Sequence, residues 1–311
     1  MNINNLINCP FFIVFEPRSG STLLANLLVK FADIALPPES NFIKVILTNY
    51  SKELIENEQD LHTIINVLYK DAKFNDWQIH AEEIIQFVQP SLPVSVEDFI
   101  LSICTVYKEK NFPKAKLFGL KHIYYLSEFE KMKSMFPNSK FIGIIRDGRG
   151  VFNSQKNSIY SVTGKPFETD PYKGAKRWCT TISLLKQLSN KYPKDTTTIY
   201  YEELVNCPEE TVKLLCVFLG VIYQGNLEVS QKYVVPERYG NLHSNIDKEA
   251  ITDRIDGWKK SLSKSEIYTF ESVAYKYLIS AGYKLINNYF LLKMKRIKEV
   301  CQRSFKYILN T

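Results

Sequence analysis

The chain has 311 residues, of which 45% are hydrophobic and 23% charged, with a formal net charge of +7; that is enough apolar material for one large α/β core. From Lys284 onward seven basic residues face one acid, Glu299, so +6 of the charge lies in the tail; the near-neutral body excludes the basic face of a nucleic-acid binder, and no nucleic-acid partner is expected. No apolar run reaches the roughly 18–20 residues of a bilayer span, and residues 1–10 are neither basic nor apolar enough for a leader, so a cytoplasmic protein is expected.

The first element is a strand at Phe11–Phe15, rich in aromatic and β-branched residues, followed by a helix with leucine spacing over Thr22–Leu28. Between them lies Pro17-Arg18-Ser19-Gly20-Ser21. Backbone N–H groups left over at a helix start point into such a loop, and the helix dipole favours an anion there. Gly20 allows close approach; Ser19, Ser21 and Thr22 add hydroxyls; Arg18 adds a fixed positive charge. The loop suits a phosphate or sulfate. It lacks the lysine and the second glycine of a nucleotide-binding P-loop, which weakens an ordinary ATPase or GTPase reading. A serine-rich turn capping a core helix is the plainer alternative.

Pro37-Pro38 then breaks the helical pattern and holds Glu39 on an extended loop. Residues 42–110 read as a helical excursion, with helices over Lys52–Lys70, Ile79–Val88 and Val96–Lys108 and a break at Gln89–Pro93. A strand follows at Lys116–His122, a helix over Tyr125–Phe136, and a strong strand at Lys140–Ile145. That strand runs into Arg146-Asp147-Gly148-Arg149-Gly150, and Val151–Ser154 opens a helix. Trp178–Lys191 reads as a helix, Thr196–Tyr201 as a strand, Glu202–Pro208 as a turn, and Glu209–Leu219 as a helix ended by Gly220. Gly225–Ile255 is polar and loop-like. Ser263 with Glu266 forms a capping box for the last helix of the body. Repeated strand, charged turn and helix argue an α/β fold: a P-loop-type parallel β-sheet between helical layers (α/β/α), with ligands at the C-terminal strand edges. The expected division is one domain over 8–284 and a basic amphipathic helix over 285–311.

Arg146 and Ser154 sit eight residues apart, the arginine at a strand end and the serine in the next helix, so both can reach one anion. At this point the chain resembles the sulfotransferases that use 3′-phosphoadenosine 5′-phosphosulfate (PAPS). PRSGSTLL is similar to their 5′-phosphosulfate loop, and RDGRGVFNS to their 3′-phosphate motif. Pro37–Phe42 resembles the glutamate-bearing loop of the bacterial and tyrosylprotein-type branch, Tyr200–Leu204 its YEDL turn, and Arg254–Ser263 its GRW…LS segment.

The resemblance implies that Arg18, Ser19, Gly20, Ser21 and Thr22 hold the 5′-phosphosulfate, Arg18 neutralising charge on the bridging oxygen. Arg146 and Ser154 would hold the 3′-phosphate and Tyr201 would pack near the adenine, with Ser244 and Lys248 as further donor contacts. Glu39 and His122 compete for the role of general base, Glu39 being preferred because Pro37-Pro38 is intact around it. Lys121 would stabilise the transferring sulfonate. Sulfuryl transfer needs no magnesium-bridged triphosphate, so no metal is expected. The acceptor is expected to be a hydroxyl, or an amine, of a small metabolite, with a glycan or peptide tyrosine as alternatives. A P-loop kinase and a non-catalytic nucleotide-binding protein are the other readings. The apolar stripe of the tail fits docking on the domain better than a membrane surface. Oligomeric state is left open.

Overall fold

The computed structural model describes residues 9–32, 34–160, 163–225, 233 and 253–294. Strand β1 (Phe11–Phe15) is buried along its whole length and leads through the anion loop into helix α1 (Ser21–Phe31). A two-residue strand, β2 (Ile34–Ala35), precedes the Glu39 loop. The excursion then comprises α2 (Phe42–Asn49), β3 (Leu54–Ile55), α3 (Glu58–Leu68), a short 3₁₀ turn at Phe74–Trp77, α4 (Ala81–Val88), β4 (Val94–Ser95) and α5 (Val96–Asn111). The chain returns through β5 (Leu117–Lys121), α6 (Tyr124–Ser127), α7 (Phe129–Met135) and β6 (Phe141–Ile145). Next come α8 (Gly148–Lys156), the small ribbon β7 (Ile159–Tyr160) and β8 (Lys165–Pro166), α9 (Pro171–Lys191) and β9 (Thr196–Tyr200). Helices α10 (Tyr201–Asn206), α11 (Pro208–Leu219), α12 (Asp253–Asp256), α13 (Trp258–Ser261) and α14 (Lys264–Ser280) complete the named elements.

The main sheet has five strands in the order β2-β5-β1-β6-β9, and every pairing is parallel. β1 and β6 are buried at every residue. Strands without polar alternation require cover on both faces, which is why such a sheet sits between helices. Helices α8, α9 and α14 pack on one another, and α1 packs on α11. At the centre, the Phe12 ring meets Tyr125, Phe136 and Phe141 at 4.9–6.2 Å. Because β1 has β5 on one side and β6 on the other, the loops after all three strands open at one edge of the sheet.

Several boundaries differ from the sequence reading for local reasons. The helix expected from Lys52 begins only at Glu58, because Asn57 caps Asp60 N and the Asp60 carboxylate accepts from Glu56 N and Lys52 Nζ. The helix expected over Tyr125–Phe136 is broken at Glu128, whose φ and ψ of −113° and 29° leave the helical region. The helix after β6 starts earlier than Val151, at Gly148, since Asp147 caps it by accepting from Arg149 N. The turn expected at Glu202–Pro208 is the helix α10. In the tail, residues 285–288 are not helical and helix resumes at 289. The Glu271 carboxylate instead accepts the backbone N–H groups of Ile286 and Asn287, holding that segment on α14. Residues 295–311 lie outside the described part.

Candidate active site

The loop between β1 and α1 is shaped by two left-handed residues, Arg18 (φ 78°) and Gly20 (φ 96°). Gly20 is also covered by the Tyr201 ring, which a Cβ at residue 20 would meet at 2.4 Å. Ser19 is buried and its N–H closes a turn onto Glu16 O. Gly20 caps α1 without any side-chain hydrogen bond, which leaves the helix-start N–H groups for an anion.

The second anion motif stands beside it. Arg146, at the end of β6, donates to Arg18 O at 3.1 Å and lies 4.3 Å above the Tyr201 ring. Trp178 Nε1 donates to Arg146 O and fixes the backbone there. Burial lowers the Arg146 pKa, opposed by Tyr201, Glu202 and Asp147. From α8, Ser154 Oγ accepts from Arg18 Nε at 3.2 Å. The loop and the Arg146–Ser154 motif thus form one continuous cationic bed. Each run supplies N–H, hydroxyl and guanidinium groups, and the Tyr201 ring lies against both, at Gly20 and at Arg146.

A buried carboxylate ties the loop after β1 to the helices behind it. Glu16, 3% exposed, accepts from Gln155 Nε2 at 2.9 Å, Arg177 NH2 at 2.8 Å and Thr181 Oγ1 at 2.9 Å. Gln155 Nε2 donates to Pro17 O as well. The loop, α8 and α9 are therefore tied at one point. Glu16 escaped the sequence reading, although an acid directly after five apolar residues is itself a signal of a paired buried charge.

Glu39 faces the loop from the other side. Its side chain, 31% exposed, lies 3.1 Å from Lys73 Nζ, 3.7 Å from His122 Nε2 and 4.0 Å from Lys121 Nζ. Burial pushes the carboxyl pKa up, but the charges of Lys121 and Lys73 outweigh it and hold it below the usual value. Lys121, at the end of β5, also donates to Thr22 Oγ1 at 3.2 Å, so it touches both the anion loop and the carboxylate. Burial brings its pKa down to about 8 against the attraction of Glu39.

His122 is held differently. Burial lowers its pKa to about 4, and its Nδ1 accepts from Tyr124 N at 3.0 Å. The neutral ring therefore carries its proton on Nε2, the nitrogen that faces Glu39. Tyr233 adds a ring 5.4 Å from Lys121 Nζ.

The structure brings together Arg18, Ser19, Gly20, Ser21, Thr22, Glu39, Lys121, His122, Arg146, Ser154 and Tyr201. Ser244 and Lys248 lie outside the described residues. Lys73 and Tyr233 were not legible: neither belongs to a motif, and each arrives from a segment remote from the strand edges.

The five-stranded parallel sheet carries the loop after β1 and the Arg146–Ser154 run side by side at its carboxyl edge. Residues 10–225 match the model of the sulfotransferase family, and the chain belongs to that family. It is 22% identical over 274 residues to protein-tyrosine sulfotransferase A of Caenorhabditis elegans, covering 85% of this chain and 65% of that protein. It is 27% identical over 212 residues to the protein-tyrosine sulfotransferase of Drosophila melanogaster, covering 68% of this chain and 38% of that protein. The chain thus spans less than two thirds of the length of either relative. In fold it is similar to the sulfotransferase domain from the curacin biosynthetic pathway, with a TM-score of 0.57 at 22% identity, covering 89% of this chain and 99% of that one.

Family membership sets aside the kinase reading. The expected cytoplasmic placement is corrected as well. It leaned on the lack of a leader or span, whereas the relatives are protein-tyrosine sulfotransferases, named for a protein acceptor. That no helix among the described residues is long and apolar enough to cross a membrane does not restore it.

Proposed function

We propose that this chain transfers the sulfonate of PAPS to the phenolic hydroxyl of a peptide tyrosine, with Glu39 as the general base. The observation that carries it is Lys121, which bridges the anion loop at Thr22 and the carboxylate of Glu39. The two protein-tyrosine sulfotransferase relatives support tyrosine over the small-metabolite acceptor.

When bound, PAPS supplies a sulfonate on a phosphate leaving group. The loop N–H groups, Ser19, Ser21 and Thr22 bind the 5′ end. Arg146 and Ser154 bind the 3′-phosphate, and Tyr201 packs beside the adenine. Arg18 neutralises the oxygen left on phosphorus as the S–O bond breaks, and Lys121 steadies the sulfonate in transit. Glu39 takes the phenolic proton as the acceptor oxygen bonds to sulfur. His122 is unsuited to that step, because its outward nitrogen already holds a proton; it supports the Glu39 carboxylate instead. The products are the tyrosine sulfate and 3′-phosphoadenosine 5′-phosphate (PAP).

The test is calorimetric titration with PAP, beside ATP and an Arg146→Ala control, followed by transfer from labelled PAPS to a synthetic acidic peptide carrying one tyrosine and to p-nitrophenol. PAP binding that is lost in the variant, with label on the peptide in preference to the phenol, is expected. Label on p-nitrophenol alone would return the acceptor to a small molecule, and absence of PAP binding would end the donor assignment.

A further inference from the structure

The excursion between Phe42 and Asn111 matches none of the motifs that carry the resemblance, yet it reaches the reacting centre at one point. The turn after α3 bears a buried carboxylate, Asp71, for which the transfer step has no use. Asp71 Oδ2 accepts from Ser40 Oγ at 2.5 Å and from Asn41 N at 3.0 Å, the two residues directly after Glu39. Its other oxygen, Oδ1, accepts from Lys73 N at 3.1 Å. One carboxylate therefore fastens the loop that carries Glu39 to the turn that carries Lys73. The side chains those two segments deliver then meet, with Lys73 Nζ 3.1 Å from Glu39 Oε1. Pro38 O is held by Trp77 Nε1 at 2.9 Å, a second tie between the same two segments.

We infer that Asp71 and Lys73 are positioning residues for the general base, Asp71 clipping the two loops together and Lys73 aiming and charging the Glu39 carboxylate. This rests on the reading of Glu39 as the base. The geometry separates Lys73 from Lys121. Lys121 is shared with the anion loop through Thr22 and is drawn on when the sulfonate is present. Lys73 is held by the excursion at its own backbone, so its contact with Glu39 persists through the cycle. Such a division of labour keeps the base ionised and oriented while the other cation serves the leaving chemistry.

Among the described residues, the charged and titratable groups around Glu39 are Lys73 and Asp71 from the excursion turn, Lys121 and His122 at the end of β5, Arg18 from the loop, Tyr125 from α6, and Tyr233. Of the lysines and arginines among these, Lys73 alone can be neutralised without touching a donor-site contact described above.

Lys73→Met and Asp71→Asn are the test variants, with Lys73→Arg as the conservative rescue. The direct readout is carbon NMR of labelled Glu side chains against pH, the Glu39 signal being assigned by its loss in Glu39→Gln. In Lys73→Met the Glu39 midpoint is expected to move up by about one pH unit, the scale of losing one adjacent opposite charge. The acid limb of kcat/KM on the tyrosine peptide should move with it, while PAP affinity stays within about twofold; Lys73→Arg should restore both. Asp71→Asn should lower kcat about tenfold or more, as loss of alignment does, again without a change in PAP binding.

An unmoved Glu39 midpoint in Lys73→Met would overturn the inference. So would a rise in peptide KM with the acid limb in place, which would make Lys73 an acceptor contact. If the wild-type enzyme labels no peptide at all, the proposed acceptor fails, and the carboxyl titration still decides the role of Lys73.

Discussion

The two halves of the proposed site are built in opposite ways. On the donor side, residues 17–22 and 146–154 form two short runs, each a strand end, a turn and a helix start. Their donors are largely backbone N–H groups and side chains within nine residues of one another. On the acceptor side, Glu39 and Lys73 come from two separate loops and Lys121 from the end of β5, and the contact between Glu39 and Lys73 spans 34 positions of sequence. Anion binding can be encoded locally, because a helix start supplies most of it. The environment of a base cannot, because desolvation and opposing charge come from whatever the fold brings near.

Perturbations of each half sharpen that contrast. The largest effect is expected from Glu39→Gln, which should lower the transfer rate by about 10²–10⁴ while calorimetric PAP affinity is unchanged. Arg146→Ala should do the reverse, weakening PAP binding about ten- to a hundredfold, the scale of a lost charge-assisted hydrogen bond, while leaving the Glu39 titration in place. A Glu39 variant that also fails to bind PAP would mean that the halves are one unit.

Gly20→Ala places a side chain at φ 96° against the Tyr201 ring. A stability loss of about 1–3 kcal/mol in denaturant melts is expected, together with weakened PAP binding. Full affinity in that variant would show that Tyr201 yields freely and does not shape the loop.

The pH response is the smallest effect and belongs to the acceptor side. His122 takes up its proton only near pH 4 in the fold, against 6.5 ordinarily. The unfolded chain binds that proton first, so stability contributed by His122 falls as pH drops from 6.5 to 4. His122→Gln should flatten that part of the curve. Lys121 acts in the same direction at alkaline pH. With its pKa about 8 against 10.5, stability should climb between those values as the unfolded lysine alone keeps its proton. The transfer rate should decline as pH rises through about 8, where the folded Lys121 loses its ammonium proton.

What could be read from the sequence follows the same division. The five apolar residues of β1, the Gly20 loop and the spacing of Arg146 and Ser154 are short-range patterns, and each stands where the pattern predicts. Glu39 became a candidate because Pro37–Phe42 resembles a glutamate-bearing loop. Its neighbours did not: Lys73 lies in a turn without periodicity, and its partner Asp71 looks like any surface acid until it is found buried against Ser40. The sequence prefers Glu39 to His122 but does not show which ring nitrogen of His122 faces Tyr124 N. Helix limits shifted where one side chain intervened, as Asn57 did at the start of α3 and Asp147 at the start of α8.

The knot at Glu16 has one further consequence. It lashes the loop after β1 to α8 and α9 through Gln155, Arg177 and Thr181. Under the proposed function the two donor seats would then act as the fixed jaws of a caliper, gauging a nucleotide by its span as well as its charge. One that lengthens its 5′ chain and leaves the 3′ position bare would fill a single jaw and forfeit the other.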